Sequence, residues 1–480
     1  MIDLPTYLRY PKIVFTLLLF HLFCISCQDE FTTNGSLKLH FSTDTIQMDT
    51  LFTTLSSSTR KLMVYNPHDE NILIERIDLL HAGMSGFVVN VDGIKGETFQ
   101  SIEINKNDSL HIFIEAKMKP TSQNQALRVE DLLTFQYNGV NQQVVFEAFA
   151  QDAFHWRGKV IGQDTVLTDE KPILVYDSLY IAEGVHLELQ AGTQLFLHNA
   201  TNIQVAGKIT AAGTLNQPVV IRGNRPDKLF ANLPYDQMPG QWGSIHLKST
   251  SFENSLTHTH IRGMNEGICI DSTDVNRSKL SLHNCVVKNA NEYLIRSTSA
   301  QVTATNSEFS VAGKALFLLT GGKYRFTHCT LAHLSPFSHA TDGAIVLRNY
   351  EDISGEEYEH PLLQADFNNC IIWGKRTAEI DFNFSENPDN ATQHRFDHCL
   401  IKANGEDDEN FINTQWNVDP VFKKVDPDNY TYDFRIDSLS AAIGTGNGEY
   451  AQEIPTDIIG NPRLKNQTDI GCYQYTGTRE

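Results

Sequence analysis

Six short stretches of the chain repeat one pattern of apolar and polar positions. They are Leu256-Thr-His-Thr-His-Ile261, Leu282-His-Asn-Cys-Val-Val287, Ala304-Thr-Asn-Ser-Glu-Phe309, Phe326-Thr-His-Cys-Thr-Leu331, Phe367-Asn-Asn-Cys-Ile-Ile372 and Phe396-Asp-His-Cys-Leu-Ile401. Each runs apolar, any, Asn or His, small, any, apolar. The small residues Thr259, Cys285, Ser307, Cys329, Cys370 and Cys399 are 26, 22, 22, 41 and 29 apart. Recurrence at a period of roughly 20–50 residues marks stacked repeats. The units are too short for a βαβ crossover and carry no helical periodicity. They fit turns of a β-solenoid, each touching only its neighbours. Leu282 and Asn284 share one side by period two, whereas Val287 breaks that parity, so the chain bends near Asn284-Cys285. Asn tolerates left-handed geometry at such a bend, and a small neighbour lets the corner close.

Upstream the pattern differs. Residues 37–155 alternate in Leu62-Met-Val-Tyr65, Ile72-Leu-Ile-Glu-Arg-Ile77, Phe87-Val-Val-Asn-Val91, Ser109-Leu-His-Ile-Phe-Ile-Glu115 and Gln143-Val-Val-Phe-Glu-Ala-Phe149. Asn66-Pro67, Asp92-Gly93 and Asn138-Gly139 punctuate them as turns. Short alternating strands at this spacing predict a β-sandwich. From Trp156 the strands shorten (Leu179-Tyr-Ile181, Val185-His-Leu-Glu-Leu189, Ile203-Gln-Val205). Gly184, Gly192, Gly207, Gly213 and Gly223 close them, as a coil with several sharp bends per turn requires. The whole chain therefore reads as all-β.

Stacking sets equivalent residues of neighbouring turns about 4.8 Å apart. Counting from each small residue to the strand after the bend aligns Asp271, Arg296, Leu318, Arg348 and Asp381 in one column. These form a candidate ligand-binding face, with Arg296 or Arg348 as base or anion clamp. The alternative is cross-strand ion pairing of Asp271 with Arg296 along an exposed sheet. The loop Asn224–Trp242 carries Phe230, Tyr235 and Trp242, aromatics that could stack on sugar rings or pack against the coil. The acidic loop Arg348–Pro361 lacks the spacing of a calcium site. Asp407-Asp408 lies outside a repeat.

The formal charge is −20, with no basic stripe, which argues against a nucleic-acid partner. No catalytic signature, metal-ligand set or cofactor motif emerges. Glycosidases need two carboxyls at a defined separation, and the chain offers many acids without that signature. Cys285, Cys329, Cys370 and Cys399 share one repeat position that Thr259 and Ser307 also fill. That predicts a buried ladder of reduced thiols rather than disulfides.

The first residues form an address. Arg9 and Lys12 precede the apolar run Ile13–Ile25, as in a secretory signal too short to span a bilayer comfortably. Ile25-Ser26-Cys27 resembles a bacterial lipobox, which implies cleavage before Cys27 and acylation of its thiol. Gln28-Asp29-Glu30 resembles the acidic surface-export tag of Bacteroidetes lipoproteins. Several acyl chains on one Cys anchor a protein stably.

Residues 156–440 resemble a right-handed parallel β-helix of the pectate-lyase-like superfold, on the Gly192-Thr193 and Gly213-Thr214 steps, Pro239-Gly-Gln-Trp-Gly-Ser-Ile245 and the Asn/His-Cys repeats. Residues 441–480 resemble the "choice-of-anchor Q" region that closes such chains, on Ala441-Ala-Ile-Gly-Thr-Gly446, Thr456-Asp-Ile-Ile-Gly-Asn-Pro-Arg463 and Thr468-Asp-Ile-Gly-Cys-Tyr-Gln-Tyr475. Residues 37–155 are similar to Ig-like modules of Bacteroidetes surface proteins. The resemblances imply a signal peptide at 1–26, a tether at 27–36 and an outer-membrane lipoprotein exposed at the cell surface. The expected function is non-catalytic binding of glycan or another surface ligand. The alternatives are a polysaccharide lyase or hydrolase, and a structural spacer or adhesin.

Overall fold

The computed structural model describes residues 30–225, 228–230, 233–336 and 341–477, with no side-chain description at 228–230. The expected signal peptide and lipidation site, Cys27 included, lie outside the described residues. Among those described, regular structure is strand apart from the six-residue helix Gly448–Glu453 and short 3-10 turns. The protein is all-β, and most of its strands pair in parallel.

The chain divides into two compact units. The first runs to Ala150, except Ser122–Ala126, which belong to the second. It holds two five-stranded sheets. One is ordered His40–Phe41, Arg60–Asn66, Asp108–Ala116, Phe87–Val91, Ile94–Gly96. The other is ordered Thr45–Phe52, Val140–Gln151, Leu127–Tyr137, Ile72–Leu79, Thr98–Ile104. Alternation decides which residues enter its core. Leu62 and Val64 point in on one strand, Ile112 and Ile114 on its antiparallel neighbour, and Phe135 and Phe146 on the opposing sheet.

The second unit is a stack of parallel turns. A representative turn has a first strand, Ser278–His283, a second, Val286–Ala290, and a third, Tyr293–Thr298. The next has Gln301–Thr305, Glu308–Ala312 and Ala315–Thr320. First strands build a ten-stranded parallel sheet, and second and third strands an eighteen-stranded one. Parallel pairing starts at Phe154–Ile161, two residues before Trp156, and ends at Gln415–Trp416 rather than near residue 440. Residues after 416 leave the stack and form the hairpin Phe422–Asp426 with Thr431–Ile436.

The repeated pattern is the register itself. Its first position forms one inward column, Leu256, Leu282, Ala304, Phe326, Phe367, Phe396, Phe411. The last four rings stack at 4.9 Å between centroids and within 10° of parallel, as the sheet spacing dictates. Its last position forms a second inward column, Ile261, Val287, Phe309, Leu331, Ile372, Ile401. Between them the Asn/His position turns the corner in left-handed geometry, with φ from 42° at His258 to 55° at Asn284.

The small position asks for more than size. Each occupant donates to the carbonyl two residues back: Thr259 to Thr257 (3.1 Å), Ser307 to Thr305 (2.8 Å), Cys285 to His283 (3.4 Å) and Cys370 to Asn368 (3.3 Å). A small side chain with one donor closes the corner, so Ser, Thr and Cys interchange there. The four ladder cysteines are free and fully buried.

The C-terminal residues cover this corner. Arg463 donates to Asn306 (2.8 Å), Asn306 to the Thr456 carbonyl (3.1 Å), and Asn369 exchanges two hydrogen bonds with Asn447. Loop 404–410 closes the last turn: Asp407 accepts from the Trp416 indole (3.2 Å), and Gly405 lies so close to that ring that a Cβ would collide at 2.5 Å.

Candidate functional site

Two outward columns run down the second strands. One reads Val220, His260, Val286, Glu308, Thr330; the other Arg262, Lys288, Ser310, Ala332, Trp373. The second changes from charged to small and then apolar as the stack advances, whereas the first mixes apolar and polar residues throughout. The covering segments account for the change. Phe434 and Ile436 of the C-terminal hairpin bury themselves on Ala332, Leu334, Ile371, Trp373 and Leu400. At the other end, segment 233–242 lies over the same face. Its Asp236 takes both Arg262 (2.6 Å) and Arg222 (3.1 Å), and the Asp236 carbonyl accepts from Asn289 (3.2 Å).

Beside the hairpin is a cleft of about 230 Å³, lined by His260, Arg262, Lys288, Glu308, Tyr432 and Tyr473 among others. Its carboxylates are engaged. Glu308 accepts from Tyr473 (2.6 Å) and Ser310 (2.9 Å), Asp433 from Arg435 (2.8 Å), and Asp236 from the two arginines. Its donors are less committed. Among the described residues neither the Lys288 ammonium nor the His260 ring has a hydrogen-bond or ion-pair partner. The Tyr432 hydroxyl is buried without one.

Burial, then the charges of Arg262 and Lys288, pushes His260 down to about 4, so its imidazole is neutral at neutral pH. Burial lowers Arg222 to about 10, against the pull of Asp236. Tyr432 rises to about 12, through burial and then nearby Asp426, and stays a protonated donor. The cleft therefore presents an ammonium and a neutral imidazole to a guest, with the partnerless Tyr432 hydroxyl buried in its wall. It holds no unengaged pair of carboxyls for acid–base work.

The predicted column is corrected in part. In register with Arg296 stand Cys269, Leu318, Val346 and Asp381. Asp271 and Arg348 each lie two residues further along, because the connections preceding their strands differ in length. Asp271 pairs with His246 (2.6 Å), Arg296 with Glu266 (2.9 Å) and Asp381 with Arg376 (3.0 Å). The expected Asp271–Arg296 pair is absent from the ion pairs of these residues. None of the four lines the cleft.

The aromatic loop is corrected too. Trp242 is 1% exposed, a core residue whose indole donates to the Arg262 carbonyl (2.9 Å), so no ligand can stack on it. The Tyr235 ring is occupied by the Arg225 guanidinium, 3.8 Å from its centroid. The Phe230 side chain lies outside the described residues. No group of three or more His, Cys, Asp or Glu able to hold a metal occurs among the described residues.

Counting to the third strand passed over the cleft. The signal was one step earlier, at the first and third positions after each small residue: His260 and Arg262, Val286 and Lys288, Glu308 and Ser310, then Thr330 and Ala332. An outward row that turns apolar announces a cover, and charges beside it announce the cover's edge.

A second, wider groove of about 560 Å³ beside the ten-stranded sheet is lined by Asp164, Glu183, His186, Lys208, Phe252, Glu253 and Arg277. Within it Lys208 pairs with Glu253 (3.5 Å), and Arg277 lies 3.7 Å over the Phe252 ring.

No family model and no curated protein matches the chain. Among solved structures, a family 123 glycoside hydrolase from Clostridium perfringens, described for glycolipid glycan hydrolysis, is similar at TM-score 0.17 and 7% identity, over 24% of this chain and 26% of that one. The Agl-KA catalytic domain is similar at TM-score 0.16 and 8% identity, over 75% and 80%. The chain thus spans about a quarter of the first structure's length. At TM-scores this low neither bears on the fold or chemistry here.

Proposed function

We propose that this protein is a lipid-anchored cell-surface binding protein, in which an Ig-like sandwich precedes a right-handed parallel β-helix. The cleft beside hairpin 422–436 receives a saccharide or another polar surface ligand without turning it over. Parallel turns of three strands around one apolar core support the β-helix reading, and two facing five-stranded sheets support the Ig-like one. The lipobox-like Ile25-Ser26-Cys27 supports the anchor. One observation carries the binding reading: Lys288, His260 and Tyr432 line one cleft, and the ammonium, the imidazole and the buried hydroxyl have no partner among the described residues. An unpaired buried hydroxyl costs about 1–3 kcal/mol, which a ligand's acceptor would return.

A glycan array on the soluble chain, with product analysis, tests this. Binding that weakens at least tenfold in Tyr432→Phe or Lys288→Ala, without product release, supports it. A hit insensitive to both substitutions refutes the cleft, and released oligosaccharide makes the protein a lyase or hydrolase. For the anchor, Cys27→Ala should abolish fatty-acid labelling in cells; retained label refutes it.

A further inference from the structure

We infer that the cleft selects a terminal sugar residue bearing one anionic group, a carboxylate or a sulfate, held against Lys288. This rests on the binding reading above and names its ligand class. The lining carries two cations, Arg262 and Lys288, and two carboxylates, Glu308 and Asp433. Arg262 is held by Asp236, Glu308 by Tyr473 and Ser310, and Asp433 by Arg435. The Lys288 ammonium is the lining charge left with no partner among the described residues. A cation left unpaired in a half-enclosed, polar cleft is the complement of a guest's anion, and a desolvated charge-assisted bond is stronger than a neutral one.

The other heads fit the same guest. His260 adds no competing charge at neutral pH and offers a directional bond to a ring hydroxyl. The buried Tyr432 hydroxyl serves as a second donor. Size and covers restrict the guest to an end group. The volume of about 230 Å³ falls below the ~300 Å³ of ordinary small-molecule sites, so one ring fits. Hairpin 422–436 walls the cleft, and on the far side Asp236 of segment 233–242 holds the lining residue Arg262. A polysaccharide lying down the face would meet one cover or the other.

Calorimetry with the full soluble chain tests this, using glucuronate, a 6-sulfated N-acetylglucosamine and the neutral counterparts glucose and N-acetylglucosamine. At least one acidic probe should bind ten or more times tighter than its neutral counterpart, and the two acidic arms tell carboxylate from sulfate. The preference should shrink at high salt, vanish in Lys288→Ala and survive in Lys288→Arg. Tyr432→Phe should weaken acidic and neutral probes by the same factor. Equal binding of neutral and acidic probes, lost in Tyr432→Phe but unchanged in Lys288→Ala, overturns the acid preference and leaves the binding cleft standing. Failure of both acidic probes to bind overturns the inference, and an array ligand indifferent to both substitutions overturns the cleft with it.

Discussion

The second and third strands of each turn belong to one eighteen-stranded sheet, yet their outward faces meet their charges differently. The third-strand face buries Cys269, Leu318 and Val346 and pairs its own charges: Arg296 with Glu266, Asp271 with His246, Asp381 with Arg376. The second-strand face is covered at both ends, and at the edge of the covers it keeps an ammonium, an imidazole and a phenol without partners. An exposed ion pair costs its neighbours little and gives little back. A polar group left unpaired beneath a cover is expensive, and persists where something outside the chain completes it. Partnerlessness under cover, more than the presence of charge, separates a site from a scaffold here.

Removing a cover should break the contrast most. Phe434 is 4% exposed, packs edge-on against Phe422 at 5.2 Å and lines the cleft. Phe434→Ala should cost about 3–5 kcal/mol and abolish cleft binding. Chemical denaturation and ligand binding of this variant check it; a loss under ~1 kcal/mol would mean that the hairpin is not anchored on the second-strand face.

Asp236→Asn should sharpen it. The change strips the one carboxylate that Arg222 and Arg262 share at the covered face. Stability should fall by about 1–3 kcal/mol, since two largely buried cations lose their partner. Binding of an acidic sugar should strengthen, because the charge of Arg262 in the lining is no longer neutralised by Asp236. A loss of both stability and acid binding would mean that Asp236 positions the guest instead.

Acid should weaken the covered side of the stack. Unfolded histidines take up a proton near pH 6.5; burial holds His260 at about 4 and His328 well below 6.5. Between those values the unfolded chain binds more protons, so stability falls as pH drops through 6.5 toward 4 and is level above. His260 alone accounts for about 2 kcal/mol of that loss. Denaturant midpoints from pH 7 to 4.5 should drop in the parent and drop less in His260→Gln. An equal slope in both would place the acid sensitivity elsewhere.

The turns were legible because register is written into them. Leu256, Leu282, Ala304, Phe326, Phe367 and Phe396 occupy one column since one slip would expose every one of them. The left-handed corner was legible for a similar reason: Asn and His mark it six times. The third-strand column failed at Asp271 and Arg348. Connections between second and third strands vary in length, from 10 residues between Thr259 and Cys269 to 17 between Cys329 and Val346, so counting from Cys or Thr loses the register. Trp242 misled because a tryptophan in a Pro-rich loop looks exposed, whereas its indole is buried on Arg262's carbonyl. The cleft was hidden because its walls come from segments far apart in sequence. Neither Asp236 nor Tyr432 sits in the repeat, and only packing brings them to Lys288.

The smallest expected effect tests the third-strand face. Arg296 lies half exposed with its guanidinium on Glu266 at 2.9 Å, while Asp271 bonds His246. Arg296→Ala should cost well under ~1 kcal/mol, because solvent screens the pair and ordering two long side chains opposes it. The register makes the coupling specific. Arg296→Ala with Asp271→Ala should be additive, since the two share no partner. Arg296→Ala with Glu266→Ala should fall short of the sum by about 0.2–1 kcal/mol. Denaturant melts of the singles and both doubles decide it. Coupling between Arg296 and Asp271 would restore the direct cross-turn pair that the register excludes. A large loss of ligand binding in Arg296→Ala at unchanged stability would move the site to this face, and the rule drawn from the covered one would fail.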